Sequence, residues 1–307
     1  MDCILRTVGV SKRYRGRFVL KDVSMTVNRG DIYGFVGENG SGKTTVIRLV
    51  TGLIAADEGH VELFGHLATS PEAAAVRGRI GAIVEAPSIY RNLSARENLL
   101  MQSAILGIKS EERIREVLGE VGLSELYDDK KKAGNFSLGM RQRLGIAMAL
   151  LGEPELLLLD EPMNGLDPAG IVEVRELILR LNRERGITFL ISSHILSELS
   201  LVATKYGIIS RGKLLREITA EELEHECRPT ITLEVNDPEA LLALLPAVLP
   251  EAEWHPVAGG VRLVGEVDLT ALLRAVLDAG LTVLSVNCCR SGIEDYYLSL
   301  VGGGHHA

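Results

Sequence analysis

The sequence contains no apolar run approaching the ~20 residues that a membrane-spanning helix needs. Its most apolar stretches, at 156–159 and 240–245, are core-length segments. The chain is therefore expected not to cross a membrane itself. Met1-Asp2-Cys3-Ile4-Leu5-Arg6 likewise lacks the basic region and long apolar stretch of a secretory leader. Cysteine is scarce, and Cys3, Cys227, Cys288 and Cys289 show neither C-x-x-C spacing nor histidines at metal-ligand intervals. That pattern excludes a disulfide framework and suits reduced thiols in a cytosolic protein; the neighbours Cys288 and Cys289 read as small packing residues. Heptad repeats are missing too. Positive charge is not in excess: the formal net charge is −8, and residues 225–307 hold 4 Lys+Arg against 11 Asp+Glu while residues 1–224 hold 29 against 30. So acidic a C-terminal part is a poor binder of phosphate backbones, and no nucleic acid is expected as a partner.

The chain does contain a phosphate loop. Gly37-Glu38-Asn39-Gly40-Ser41-Gly42-Lys43-Thr44-Thr45 fits G-x-x-x-x-G-K-[ST] without a mismatch. The apolar run Ile32-Tyr33-Gly34-Phe35-Val36 predicts a buried strand before it, and Thr45-Val46-Ile47-Arg48-Leu49-Val50 a helix after it. Gly37, Gly40 and Gly42 let backbone N–H groups approach phosphate oxygens with no Cβ in the way, and the helix N-terminus adds its positive dipole end. Lys43 supplies a point charge to the β- and γ-phosphates, and Thr44 a hydroxyl to Mg²⁺. The loop alone says that the protein binds a nucleoside triphosphate, not which class of NTPase it is.

Alternating apolar positions at 4–10 and 18–27 predict antiparallel strands upstream of the loop. Between them Tyr14 lies in a polar turn, where its ring is either a stacking partner for a base or an ordinary exposed tyrosine. Residues 59–65 predict a strand between glycines, 71–77 a short helix, and 80–85 a strand whose last residue is Glu85, followed by the loop signal Ala86-Pro87. Charges at the ends of parallel strands face the ligand crevice, so Glu85 is a site candidate. The pattern then turns helical. Ser94-Ala95-Arg96-Glu97 is a capping box opening a helix to about 106, and 111–121 gives a second. The basic run Lys130-Lys131-Lys132 reads as a solvated loop, and an apolar helix follows at 144–151.

Four leucines then run into Asp160-Glu161-Pro162. The run predicts a fully buried strand of a parallel sheet. Asp160 at its tip can reach Mg²⁺, directly or through water, and Glu161 can polarise a water aimed at the γ-phosphate. Asn164-Gly165-Leu166-Asp167-Pro168 is a turn into a long helix at 169–185, and 188–192 is a further buried strand ending at Ser193-His194. A lone histidine is usually structural, but beside phosphate and acid sites a γ-phosphate contact is expected of His194.

Beyond Thr219-Ala220-Glu221-Glu222, another capping box, the order of predicted elements is β-α-β-β-α-β: strands at 230–235, 253–257, 261–264 and 281–288, helices at 237–249 and 268–279. That order suggests a small α+β ferredoxin-like domain. It holds no cluster of catalytic residue types, which suits a regulatory or dimer-supporting module. Residues 303–307 read as a frayed tail.

Taken together, residues 1–225 resemble the ATP-binding subunit of an ABC transporter. The resemblance implies an α/β P-loop ABC ATPase domain with a RecA-like parallel core, an antiparallel β subdomain and a helical insert at about 87–152, followed by the accessory domain at 226–302. It makes residues 37–45 the Walker A loop, 156–161 the Walker B strand with Glu161 as catalytic base, 164–167 the D-loop and His194 the switch histidine. It also makes Tyr14 the adenine-stacking residue. ATP and Mg²⁺ are the implied cofactors. The implied partners are a second copy of the chain, in a head-to-tail dimer, and a separate membrane permease, with the subunit held on the cytoplasmic face. In the dimer ATP lies between one chain's phosphate loop and the other's Ser137 and Gly139, and Asp167 of the D-loop is a further nucleotide-binding residue. Two positions depart from the usual pattern: Phe136-Ser137-Leu138-Gly139-Met140 stands for Leu-Ser-Gly-Gly-Gln, and Glu85 stands for Gln, where its carboxylate is expected to contact Mg²⁺ or the attacking water. The segment from Glu85 to Asn98 looks like the bacitracin- and lantibiotic-resistance branch, whose ATPases power export of peptide antibiotics. The rival reading is a soluble ABC ATPase acting on a macromolecular complex such as the ribosome or DNA. Translation-factor types usually carry two cassettes and DNA-repair types a long coiled coil, and this chain shows one cassette and no heptads.

Overall fold

The computed structural model describes residues 2–250, 252–289 and 293–302. They form two compact units, one up to Ala220 and the other from Glu221 onward. The first opens with a hairpin of β1 (Cys3–Tyr14) and β2 (Arg17–Asn28). Its apolar alternation is realised, with Leu20, Val23, Met25 and Val27 all buried. The strand runs further than expected: Arg15 and Gly16 make the reversal with positive φ (49° and 80°), so Tyr14 ends a strand rather than sitting in a polar turn. β3 (Ile32–Val36) has all five residues buried, and α1 (Lys43–Thr51) follows the phosphate loop.

β4 (Glu58–Leu63), β5 (His66–Leu67) and α2 (Ala73–Arg77) come next. β6 (Ile80–Ile83) stops two residues short of the expected end and leaves Glu85 in the loop. α3 (Ala95–Leu106) carries the capping box foreseen at its start, with Glu97 N donating to Ser94 Oγ at 3.2 Å and Ser94 N to Glu97 Oε2 at 2.6 Å. After α4 (Glu111–Glu120), α5 (Leu138–Leu150) begins six residues earlier than its apolar pattern suggested, because Ser137 caps it: Met140 N donates to Ser137 Oγ at 3.1 Å. β7 (Leu156–Asp160), α6 (Pro168–Arg185), β8 (Thr188–Ser193), α7 (Leu196–Leu199), β9 (Lys205–Ser210) and β10 (Lys213–Thr219) complete the unit.

These strands make two sheets. An antiparallel one has the order β2-β1-β4-β5, and a six-stranded one the order β10-β9-β3-β8-β7-β6, parallel throughout except for β10 at its edge. Strands of a parallel sheet are covered on both faces, which is why β3, β7 and β8 read as unbroken buried runs rather than as alternation. All three end at the same edge, so polar residues just beyond them converge there. A half-buried polar tie joins the sheets: Tyr33 on β3 donates to Glu217 Oε1 at 2.9 Å, and the same oxygen takes Thr26 N at 3.1 Å and Lys205 Nζ at 3.1 Å. Burial, reinforced by Glu217, pushes the Tyr33 phenol well above its usual pKa, so it stays a donor. Gly207 faces this ring; a Cβ there would lie 2.2 Å from the Tyr33 hydroxyl.

The second unit begins around α8 (Ala220–Glu226) and continues as β11 (Thr230–Val235), α9 (Pro238–Val248), β12 (Glu253–Val257), β13 (Gly260–Val264), α10 (Leu269–Asp278), β14 (Val283–Cys289) and α11 (Ile293–Gly302). Its sheet order is β12-β13-β11-β14 with every pair antiparallel, the arrangement the β-α-β-β-α-β order called for. Ile231, Leu233, Leu241, Val261, Leu263, Leu272 and Val276 form its core. Cys288 corrects one expectation: it is exposed, not packed. The tail at 303–307 lies outside the described residues.

Glu155, just before β7, accepts from Arg79 Nε at 2.5 Å and Arg29 Nη1 at 2.7 Å, and these bonds, Arg79's first, lower its pKa from 4.5 to about 2. A depressed folded pKa means stability that is complete above pH 4.5 and is lost as the pH falls toward about 2. The side chain is 36% exposed, which discounts the gain for solvent screening. Glu155→Gln should therefore cost about 1 kcal/mol near neutrality, and the deficit should shrink as the pH drops below 4.5; urea unfolding followed by circular dichroism at both ends of that range checks it.

Candidate active site

The phosphate loop is a fold-imposed cradle. A Cβ on Gly37 would lie 2.3 Å from the Ile209 carbonyl oxygen, and Gly42 has φ 113° with Leu20 Cδ2 2.5 Å from where its Cβ would be. The loop is tied at both ends, by Gly37 N donating to Ser193 O at 3.2 Å and Gly212 N to Ser41 O at 2.9 Å. α1 starts with no side-chain cap and no acid in its first turn, so its leading N–H groups and dipole end suit an anion. Ser41 Oγ is buried and has no hydrogen-bond partner among the described residues. These features fit a phosphate group. Glu38, Asn39 and Gly40 are exposed at the rim, while Thr44 and Thr45 are half-buried in the first turn of α1.

Lys43 is 5% exposed, and its Nζ donates to Gly37 O at 2.6 Å and Glu38 O at 3.2 Å. The same nitrogen lies 3.2 Å from Glu161 Oε1. The other Glu161 oxygen is 2.7 Å from His194 Nδ1, which, facing a carboxylate, is the donor. Glu161 thus joins a cation from the phosphate helix to the histidine at the end of β8. Its backbone has φ 50°, and this left-handed turn at the end of β7 is pinned by Glu161 N donating to Ser192 O at 3.2 Å and Ser192 Oγ at 2.9 Å. Ser192 in turn donates its hydroxyl proton to Asp160, which is 3% exposed. Asp160 and the Thr44 hydroxyl are hard oxygen donors of the kind Mg²⁺ takes alongside substrate phosphates and water. Among the described residues there is no cluster of three His, Cys, Asp or Glu side chains of metal-binding geometry.

The other expected site residues lie at more than one place. Tyr14 is 43% exposed, with Lys12 Nζ 5.8 Å from its ring centroid, open to a planar partner. Ser137 and Gly139 are at the N-terminus of α5. Asp167 caps α6, accepting from Gly170 N at 3.0 Å. None of the hydrogen bonds of the phosphate loop among the described residues reaches the 137–139 segment. Glu85 is ion-paired with Arg48 on α1, its side chain 63% exposed.

Two residues were not singled out by sequence. Ser192 organises both acids, and Glu198 on α7 lines a small cavity with Glu161, Asn164 and Ser192. Burial raises the Glu198 carboxyl above the usual range, with His194 opposing that shift and Glu161 adding to it. The available signal was spacing: Glu198 is one helical turn beyond His194, and Ser192 comes two residues before it.

The profile of the ABC transporter family matches residues 20–164. The chain is 42% identical over 306 residues to the bacitracin transport ATP-binding protein BcrA of Bacillus licheniformis, with 99% of each chain covered. It is 42% identical over 214 residues to the lantibiotic transport ATP-binding protein SrtF of Streptococcus pyogenes, covering 70% of this chain and 90% of that one. Among solved structures, an ATP-binding cassette of an ABC transporter in its ADP conformation aligns with a TM-score of 0.66 and 30% identity, covering 73% of this chain and 94% of that one. A cassette dimer in a post-hydrolysis state with ADP and Pi, 24% identical, shares the fold at a TM-score of 0.63, covering 71% of this chain and 99% of that one. With the phosphate cradle and its acids in place, the chain belongs to the ABC transporter family, as an ATP-binding, ATP-hydrolysing subunit.

Proposed function

We propose that this subunit powers a separate membrane permease that expels peptide antibiotics of the bacitracin or lantibiotic kind, and that Glu161 is its hydrolytic carboxylate. The observation that carries the catalytic part is the placement of Glu161 between Lys43 Nζ at 3.2 Å and His194 Nδ1 at 2.7 Å. In this reading the N–H groups of the 37–45 loop and Lys43 hold the β- and γ-phosphates. Glu161 takes a proton from the attacking water. His194 orients Glu161 through Nδ1 and steadies the γ-phosphate. Thr44 and Asp160 would hold Mg²⁺, which would supply charge neutralisation for the phosphates. Tyr14 stacks on the adenine.

The site is completed by a second copy. Ser137 is exposed at the head of α5, a helix of 13 residues whose N-terminus can receive an anion from outside the chain. Two chains arranged head to tail would each lend this end to the other's nucleotide, with the Asp167 turn at the seam. The permease would dock on the helical insert and the Glu85 loop, and the subunit would lie on the cytoplasmic face of the membrane. The substrate class rests on the relatives, which are named for bacitracin and lantibiotic transport; they do not favour a role on ribosomes or DNA.

Glu161→Gln should lower ATP turnover by roughly 100-fold or more while leaving ATP binding intact, and should accumulate an ATP-dependent dimer in size-exclusion chromatography with light scattering. Failure to form that dimer would count against the sandwich. For transport, the chain expressed with its permease should raise the bacitracin or lantibiotic concentration that a sensitive cell survives, and Lys43→Ala should abolish the gain. Unchanged protection with Lys43→Ala would show that ATP use by this chain does not drive it.

A further inference from the structure

β6 and β7 are neighbouring parallel strands whose last paired residues are Ile83 and Leu159. Counting on two residues from that pair brings Glu85 level with Glu161. Both residues have left-handed backbones, φ 64° and 50° respectively, a conformation uncommon outside glycine. Adjacent strands lie ~4.8 Å apart. The edge where Lys43, Asp160 and His194 meet thus carries two glutamates from adjoining strands. They are kept apart by different cations: Glu161, 19% exposed, takes Lys43 and His194, whereas Glu85, 63% exposed, takes Arg48. Both Lys43 and Arg48 belong to α1, one in its first turn and the other in its last.

We propose that Arg48 is a positioning residue that holds the Glu85 carboxylate away from the Glu161 cluster, tying the loop after β6 to the helix that carries the phosphate site. The inference rests on the reading of Glu161 as the hydrolytic carboxylate. An exposed ion pair holds only weakly. The tether therefore opens easily, and opening it frees a second carboxylate to compete for Lys43 and His194.

A double-mutant cycle on the full-length chain tests this. Arg48→Ala should reduce kcat/KM for ATP about threefold when Glu85 is present, and leave it unchanged in a Glu85→Gln background. Arg48→Lys, which keeps the charge, should retain most of the activity. A readout free of turnover is thermal unfolding without nucleotide, in which Arg48→Ala should lower the midpoint by about 1 °C beside Glu85 and leave it unchanged beside Gln. Equal effects of Arg48→Ala in both backgrounds, or none in either, would overturn the assignment, the first by showing that Arg48 acts only through α1. Undiminished ATP turnover in Glu161→Gln would instead strike the catalytic reading, and leaves the unfolding cycle readable.

Discussion

The contact between Lys43 and Glu161 is the one on which the rest of the site depends. It joins the helix that presents backbone N–H groups to phosphate with the strand that presents the acids, and it is available only because β3 and β7 end at the same edge of one parallel sheet. Hydrophobic cover on both faces of that sheet leaves polar side chains nowhere to go but beyond the strand ends. Asp160, Glu161, Ser192 and His194 are therefore neighbours by topology, though more than 30 residues separate the two pairs in sequence. The left-handed turn at Glu161 aims its carboxylate back at Lys43, and Ser192 supplies both hydrogen bonds that fix the turn.

On the proposed reading, the same topology sets the two halves of the site at different places in one chain. The phosphate loop belongs to the strand edge, whereas Ser137 and Gly139 belong to a helix that packs on α3, α4, α6 and β6. The second unit adds an acidic α+β sandwich with its own core and no metal-binding cluster among its described residues.

Much of the site was legible in sequence because its parts are contiguous. The loop at 37–45 and the acids at 160–161 are read from local order alone, and the capping box at Ser94 and Glu97 formed as written. What could not be read depends on pairing between distant segments. Ser192 matters because the β7–β8 register sets it opposite Asp160, and no local pattern encodes a register between separate strands. The start of α5 was missed because the polar stretch around Arg141 masks its amphipathic period, although the Ser137 cap was present in the sequence. The basic residues around Tyr14 have the composition of a turn, yet pairing with β2 carries the strand through them. Glu85 was read as a crevice residue from its place near the end of a strand; its pairing with Arg48 is a tertiary contact between segments 37 residues apart.

The central claim is that a complete ATP site needs two copies of the chain. Mixing full-length Lys43→Ala with full-length Ser137→Arg tests it most directly, since each alone is defective at both sites but a mixed dimer regains one intact pairing of loop and signature. The ATPase rate of the mixture should rise well above either variant, to about a quarter of the native rate if the two copies exchange freely. A mixture no more active than its components would contradict the shared site.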